Sequence, residues 1–353
     1  MKKINFILPS LSTKPGGGTK IMYEYANRFA QKGYDVTIIH SIKRPFKKAR
    51  TPTWLRYILL RLKKKQTWFL FSPKVKTTLV KEIMDHNVPD ADVVISTWWQ
   101  MTYAVAGLSE KKGKKFNFIQ DYEIWTGQEE RVKESYTLGI QNVVIAKYLA
   151  KLVNEISGQM PIHIPNAIDT SIYNLKTTID QRDPYSIIML YSEEPRKGSQ
   201  YGIEALEKVK EKCPSLSVTF FSTFKKPLSL PAWINFHQRP SNLSELYNRH
   251  AIFLSPSLGE GWALPPAEAM ACGCAIVCTD IGGHHDYAIN GETAMLVESR
   301  NIEQMTGAIL RLINEQDIRR SLAIRGHESI SSQFSWDSSV KKMEEMFFKN
   351  DQN

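Results

Sequence analysis

Residues 253–286, FLSPSLGEGWALPPAEAMACGCAIVCTDIGGHHD, constrain the fold of this chain more than any other stretch. The apolar run Ile252-Phe253-Leu254 stops at Ser255-Pro256, as a buried strand should. A small polar loop follows, with Gly259 and Gly261 around Glu260. Pro265-Pro266 opens a helix, because a first-turn N–H has no partner to lose. Gly273 stops that helix, Ala275-Ile276-Val277 is the next buried strand, and Gly282-Gly283 turns after it. Glu260 in the loop and Glu268 early in the helix both lie near C-terminal strand ends, where open α/β sheets bind ligands. A helix N-terminus beside them offers N–H groups to an anion. Phosphates on amides and hydroxyls on carboxylates would suit a nucleotide-sugar. Singly, Glu268 reads as a first-turn charge facing the helix dipole and Glu260 as a solvated loop charge; together they favour a ligand.

The rest of the chain repeats the alternation. Apolar runs at 4–8, 36–39, 92–96, 116–119, 143–145, 162–165, 187–191, 216–221, 234–237 and 294–297 alternate with helical patterns, which predicts parallel sheets. After the first run comes Gly16-Gly17-Gly18, then a helix over about 19–32 whose apolar face is Ile21, Tyr25 and Phe29. The glycines are consecutive and His40 ends the second strand, so a nicotinamide fingerprint is absent. The length of 353 residues allows two domains. We expect the first over 1–170 and a linker at 171–184. The second covers 185–335, and a last helix over 336–353, with Val340, Met343 and Phe347 inward, packs back on the first.

No run of 18 apolar residues occurs, so no membrane-spanning helix is expected, and the first strand is not a signal peptide. A cytoplasmic location follows as an expectation. The spacing of Cys272, Cys274 and Cys278 matches no zinc knuckle or ribbon. The net charge of +10 is local: between Asp35 and Glu82 there are thirteen Lys and Arg and no acidic residue, so the remainder is slightly acidic. Within that interval Trp54, Leu55, Ile58, Leu59 and Leu62 share a helical face, ahead of Lys63-Lys64-Lys65 and Trp68-Phe69-Leu70-Phe71. Two readings stand open. Residues 43–76 either dock on an anionic inner-membrane surface or form a core-packing helix with a solvated basic face. No recognition motif for nucleic acid accompanies the charge.

The run E-G-W-A-L-P-P-A-E, two glutamates separated by seven residues, followed by A-M-A-C-G, a strand and T-D-I-G-G, resembles the donor site of retaining family-4 (group 1) glycosyltransferases. The resemblance extends to I-P-N-A-I-D at 164–169 and is weakest over 43–88. It implies the GT-B fold: α/β, with two Rossmann-like domains whose parallel sheets face a central cleft. It implies transfer of a sugar from a UDP-, dTDP- or GDP-sugar to an acceptor hydroxyl, with retention and without metal or other cofactor. The acceptor implied is a glycan or lipid-linked glycan of bacterial surface polysaccharide.

Carried over residue by residue, the resemblance gives Glu260 the donor-sugar hydroxyls, with Gly261, Trp262, Ala263 and Leu264 around it, and Glu268 the ribose diol. Lys197, with Arg196 and the amides of Gly17, Gly18, Gly282 and Gly283, takes the leaving diphosphate. His237 lies where relatives contact the base, largely through backbone. Asp121, with Glu123 as the other candidate, orients the acceptor or steadies the oxocarbenium-like centre. Many relatives carry an Arg five or six residues before the Lys; here Leu190-Tyr191-Ser192 stands there, and two readings stay open: Arg196 substitutes, or the phosphate is held less tightly. The Gln120-Asp121-Tyr122-Glu123 run resembles some bacterial rhamnosyltransferases, which would imply a dTDP-sugar. A sugar-nucleotide epimerase or phosphorylase, or a non-catalytic nucleotide-sugar-binding protein, are the alternatives.

Overall fold

A computed structural model describes residues 1–11, 15–47, 51–62 and 68–348. The chain forms two compact units, Met1–Asn166 with Asp337–Asn353, and Ala167–Trp336.

Unit 1 runs β1 (Lys3–Pro9), α1 (Gly17–Gln31), β2 (Asp35–Ser41), α2 (Thr53–Leu62), β3 (Lys76–Val80), β4 (Val93–Thr97), α3 (Trp99–Ala106), β5 (Lys114–Ile119), α4 (Glu129–Glu134), β6 (Gln141–Val144), α5 (Lys147–Ser157) and β7 (Ile162–His163). Its seven strands pair in parallel in the order β3-β2-β1-β4-β5-β6-β7. β4 is buried end to end and β1, β5 and β6 nearly so, because helices cover both faces of a parallel sheet. That is why these strands read as unbroken apolar runs. Ile21, Tyr25 and Phe29 of α1 are buried as their spacing requires. α1 begins two residues earlier than its pattern suggested, taking Gly17 and Gly18 into its first turn.

Unit 2 runs β8 (Ser186–Leu190), α6 (Ser199–Lys212), β9 (Ser217–Ser222), β10 (Ile234–Gln238), α7 (Leu243–Asn248), β11 (Ile252–Ser255), α8 (Leu264–Ala271), β12 (Ala275–Thr279), β13 (Met295–Val297), α9 (Ile302–Asn314) and α10 (Gln316–Gln333). Its six strands are parallel in the order β10-β9-β8-β11-β12-β13. The core lies between the sheet and α6, α9 and α10, around Leu206, Val218, Leu254, Val277, Ile309 and Leu322. Finally α11 (Trp336–Phe348) completes unit 1. Val340, Met343 and Phe347 are buried there, and the Phe347 ring lies 5.6 Å from Phe29 and 5.0 Å from Phe116.

Residues 171–184 do not hang free. Asn248 on α7 accepts from the Lys176 and Thr177 amides and donates to the Asn174 carbonyl. Arg182 is buried, and its guanidinium donates to the carbonyls of Thr177, Tyr247, His250 and Cys272.

The basic interval divides. Trp68, Phe69 and Phe71 gather on Tyr23 of α1 at centroid distances of 5.6, 5.2 and 4.7 Å, so this aromatic run is packing. The α2 face is the opposite case: no α2 side chain is buried, and Trp54 (58%), Ile58 (45%), Leu59 (51%) and Leu62 (77%) are exposed. Lys48, Arg50 and Lys63-Lys64-Lys65 lie outside the described residues. β3, within the same interval, is an edge strand without the alternation that would have marked it.

Candidate active site

In each sheet the strand order reverses direction beside the first strand, at β1/β4 and at β8/β11. Loops leaving such adjacent strands diverge to opposite faces and open a crevice at their C-terminal ends. The residues singled out from sequence lie on loops and helices that follow these strands or their neighbours β5 and β12, with the exception of His237 on β10.

In unit 2, β8 leads to a short 3-10 turn, Pro195–Lys197, and then α6; β11 leads to the Glu260 loop and then α8. The two loops meet. Lys197 Nζ lies 2.8 Å from both oxygens of Glu260, and Ser257 Oγ donates to Glu260 Oε1 at 2.8 Å. Burial would lift the Glu260 carboxyl, but the Lys197 ammonium, helped by Ser257, holds it below the usual carboxylate range. It is therefore ionised at neutral pH. Backbone fit sets this contact. The Leu258 N–H donates to the Arg196 carbonyl at 2.7 Å. Gly198 has φ +63° and a Cβ there would strike the Pro256 carbonyl. A Cβ on Gly283 would strike the Glu260 backbone, so the Gly282-Gly283 turn presses directly on the same loop. Beneath it the buried His284 ring bridges the Thr279 carbonyl (2.7 Å) and Ser255 Oγ (3.3 Å); burial lowers its pKa, so it is a neutral strut.

α6 starts immediately behind Lys197 and turns its first N–H groups toward this point. α8 offers less than expected, because Pro265 and Pro266 remove two donors from its first turn. Cationic charge here comes from Lys197. The Arg196 guanidinium pairs with Glu194 at 3.3 Å. Trp262 is buried between Tyr287 (4.9 Å) and Phe334 (5.4 Å), and Ala263 takes φ +24°, its carbonyl held by Tyr287 Oη at 2.8 Å. Leu264 begins α8. Glu268 is buried at the Tyr247 phenol, 3.4 Å away. His237 stands exposed on edge strand β10, two strands from β8 and outside the Lys197–Glu260 contact.

In unit 1, Gly17 and Gly18 open α1, and Gln120 Nε2 at the end of β5 donates to the Gly18 carbonyl (3.0 Å) and to Thr97 Oγ1 at the end of β4 (2.8 Å). Asp121 is half-buried; its Oδ1 accepts from the Tyr122 amide at 2.9 Å and lies 3.4 Å from Tyr148 Oη. Glu123 is buried and accepts from the Trp99 amide at 2.8 Å, anchoring the start of α3 next to Trp98 at φ +77°. Burial, with Asp121 adding, pushes its carboxyl up to about 8 against that hydrogen bond. Asp121 is thus the accessible carboxylate and Glu123 a structural acid. Ser257, Gln120, Tyr247 and Tyr173 were missed from sequence; only Ser257 and Gln120 carried a signal, standing beside residues already chosen.

Among the described residues no group of three or more His, Cys, Asp or Glu is disposed to hold a metal ion. Cys272, Cys274 and Cys278 are buried free thiols.

Residues 176–329, which include the whole Lys197–Glu260–Glu268 arrangement, match the family described as Glycosyl transferases group 1. They form a group 1 glycosyltransferase domain. Over 92 residues the chain is 33% identical to an uncharacterized glycosyltransferase of Methanocaldococcus jannaschii, covering 26% of each protein. Over 101 residues it is 28% identical to the capsular polysaccharide biosynthesis glycosyltransferase CapM of Staphylococcus aureus, covering 29% of this chain and 27% of CapM. The matched stretch thus spans about a quarter of each curated relative. HepE of Anabaena, solved in complex with UDP, superimposes with a TM-score of 0.76 at 13% identity, over 99% of this chain and 100% of that one. Likeness at that identity establishes the fold. With parallel sheets of seven and six strands, it is the GT-B fold that the group 1 resemblance implied.

Proposed function

We propose that this chain transfers a hexosyl or deoxyhexosyl group from a nucleoside-diphosphate sugar to an acceptor hydroxyl, with retention and without a metal. The observation that carries this reading is the Lys197–Glu260 contact at the β8/β11 switch point of the group 1 domain. A cation for a diphosphate and a carboxylate for sugar hydroxyls stand there side by side. Lys197, the first N–H groups of α6 and the amides of Gly282 and Gly283 stabilise the charge that develops on the leaving diphosphate. Glu260 holds donor-sugar hydroxyls and Glu268 the ribose diol. In unit 1 Asp121 orients the acceptor. No covalent carboxylate nucleophile is invoked: a phosphate oxygen of the leaving group takes the acceptor proton.

HepE with its UDP supports a uridine nucleotide as the first donor to try, and CapM supports a polysaccharide acceptor. A lipid-linked acceptor at the inner face of the membrane fits the exposed apolar face of α2. Thermal-shift screening of UDP, dTDP, GDP and their sugars identifies the donor, and transfer or slow donor hydrolysis then gives the rate. Glu260→Gln and Lys197→Ala should each lower it by about a hundredfold while the fold survives. Wild-type turnover in either variant would refute these roles.

A further inference from the structure

Trp125 stands at the surface of unit 1 with 48% of its area exposed, on the loop after β5 that also carries Asp121. Its ring meets that of Trp98, at the end of β4, in a T-shaped contact at 6.3 Å and 69°. Trp98 is itself anchored. Its Nε1 donates to Oε1 of the buried Gln100 at 3.1 Å, and its ring packs on the cluster around Ile39, Met101 and Val105. Its backbone takes φ +77°, where a bulky L-residue is strained. Such strain persists only where the surroundings enforce it, and it collects at ligand sites. The Trp125 loop is enforced too. Glu123 accepts from the Trp99 amide at 2.8 Å, the Tyr122 carbonyl accepts from the Ile124 amide at 2.8 Å, and Tyr122 Oη donates to Glu129 at 2.8 Å. Gly127 closes the turn at φ +72°. A half-exposed indole is therefore held in one plane on the loop of Asp121.

A ligand that covers an indole fixed in this way must bring an apolar face and hydroxyls together, because Gln120, Asp121 and Tyr122 on the same loop are polar. A pyranose ring does both. Its C–H bonds, polarised positive, lie against the negative face of an aromatic ring, while its hydroxyls reach polar groups at the rim. We propose that Trp125 is a stacking platform for a pyranose ring of the acceptor, so that the acceptor is recognised as a cyclic sugar. The inference rests on the reading that Asp121 orients the acceptor, and it adds the residue that binds and the ring form that is bound. An open-chain alditol carries similar hydroxyls without a ring face and is not held.

Saturation-transfer NMR of the full chain with the methyl pyranosides of glucose, galactose, mannose, rhamnose and N-acetylglucosamine tests this, with sorbitol and mannitol as open-chain controls. At least one pyranoside should receive saturation, strongest at its ring C–H protons, and the alditols none. Trp125→Ala should weaken that pyranoside by about tenfold, while Trp125→Phe, which keeps an aromatic face, should stay within about threefold. An unchanged signal in Trp125→Ala, equal loss in both variants, or equal saturation of the alditols overturns the proposal. Thermal stabilisation by UDP, dTDP or GDP, read on the same variants, should not change; a parallel loss would make the effect one of folding and overturn the role of Trp125. Nucleotide stabilisation without any pyranoside signal overturns the platform and leaves the transferase reading standing. A pyranoside signal without nucleotide stabilisation overturns the transferase reading and, with it, the assignment of that ring to an acceptor. Absence of both overturns both.

Discussion

At the scale of single residues, the two charges that a donor would meet already meet each other. Lys197 and Glu260 form an ion pair in which neither side chain is more than a fifth exposed, supported by Ser257. On the proposed function, donor binding would exchange partners rather than create charge. Glu123 behaves differently. Its carboxyl sits at about 8 in the folded chain against an ordinary 4.5, because burial favours the neutral acid. Between those values the unfolded chain has lost a proton that the folded chain keeps. Its contribution to stability is complete below the lower value and falls as pH rises through the upper one, by at most about 1.4 kcal/mol per pH unit. Urea unfolding at pH 5 and pH 8 should show a steeper loss for the wild type than for Glu123→Gln, which keeps an acceptor for the Trp99 amide; equal losses would remove Glu123 as the cause. The sequence showed Glu260 and Glu268 because their spacing is tied to a strand, a helix and two glycines. It could not show Tyr173 or Tyr247, since nothing local separates a tyrosine that binds a carboxylate from one that fills a core.

At the scale of elements, buried parallel strands and amphipathic helices were legible because period and burial coincide. α1 and α11 bury the faces their spacing marks. Residues 43–76 were ambiguous, because a cationic amphipathic helix has the same pattern whether its apolar stripe meets a core or a lipid. The structure separates the two halves of that interval. Trp68, Phe69 and Phe71 pack on Tyr23, while Trp54, Ile58, Leu59 and Leu62 remain at the surface with Arg56 and Arg61 on the same helix. Liposome co-sedimentation should therefore show binding to vesicles rich in anionic lipid but not to neutral ones. It should be lost on Trp54→Ser with Leu62→Ser and reduced by Arg61→Glu. Indifference to vesicle charge would show that α2 is no lipid anchor.

At the scale of the whole molecule, the chain makes two separate cores, and single buried groups decide how its connecting stretches are held. Arg182 is the clearest: a buried guanidinium that donates to four carbonyls and to Asn248. Arg182→Met should keep the volume and leave those acceptors unpaired, lowering the unfolding free energy of unit 2 by about 3 kcal/mol. Chemical denaturation followed by fluorescence of Trp233 and Trp262 measures it, and a change within error would mean the carbonyls find other donors. The sequence marks 171–184 only as a linker, because polar, irregular sequence is the same whether it dangles or is stitched down by a buried arginine.

The position of α11 also bears on how the protein is made. Phe347 fills space beside Phe29 and Phe116, and Lys32 and Tyr34 reach Glu344, so unit 1 has packing side chains supplied by α11, which follows unit 2 in the sequence. A ribosome releases residues in order. Unit 2 can therefore close as soon as it emerges, while residues 1–166 keep an apolar seam open until α11 has followed unit 2. Assembly is interleaved.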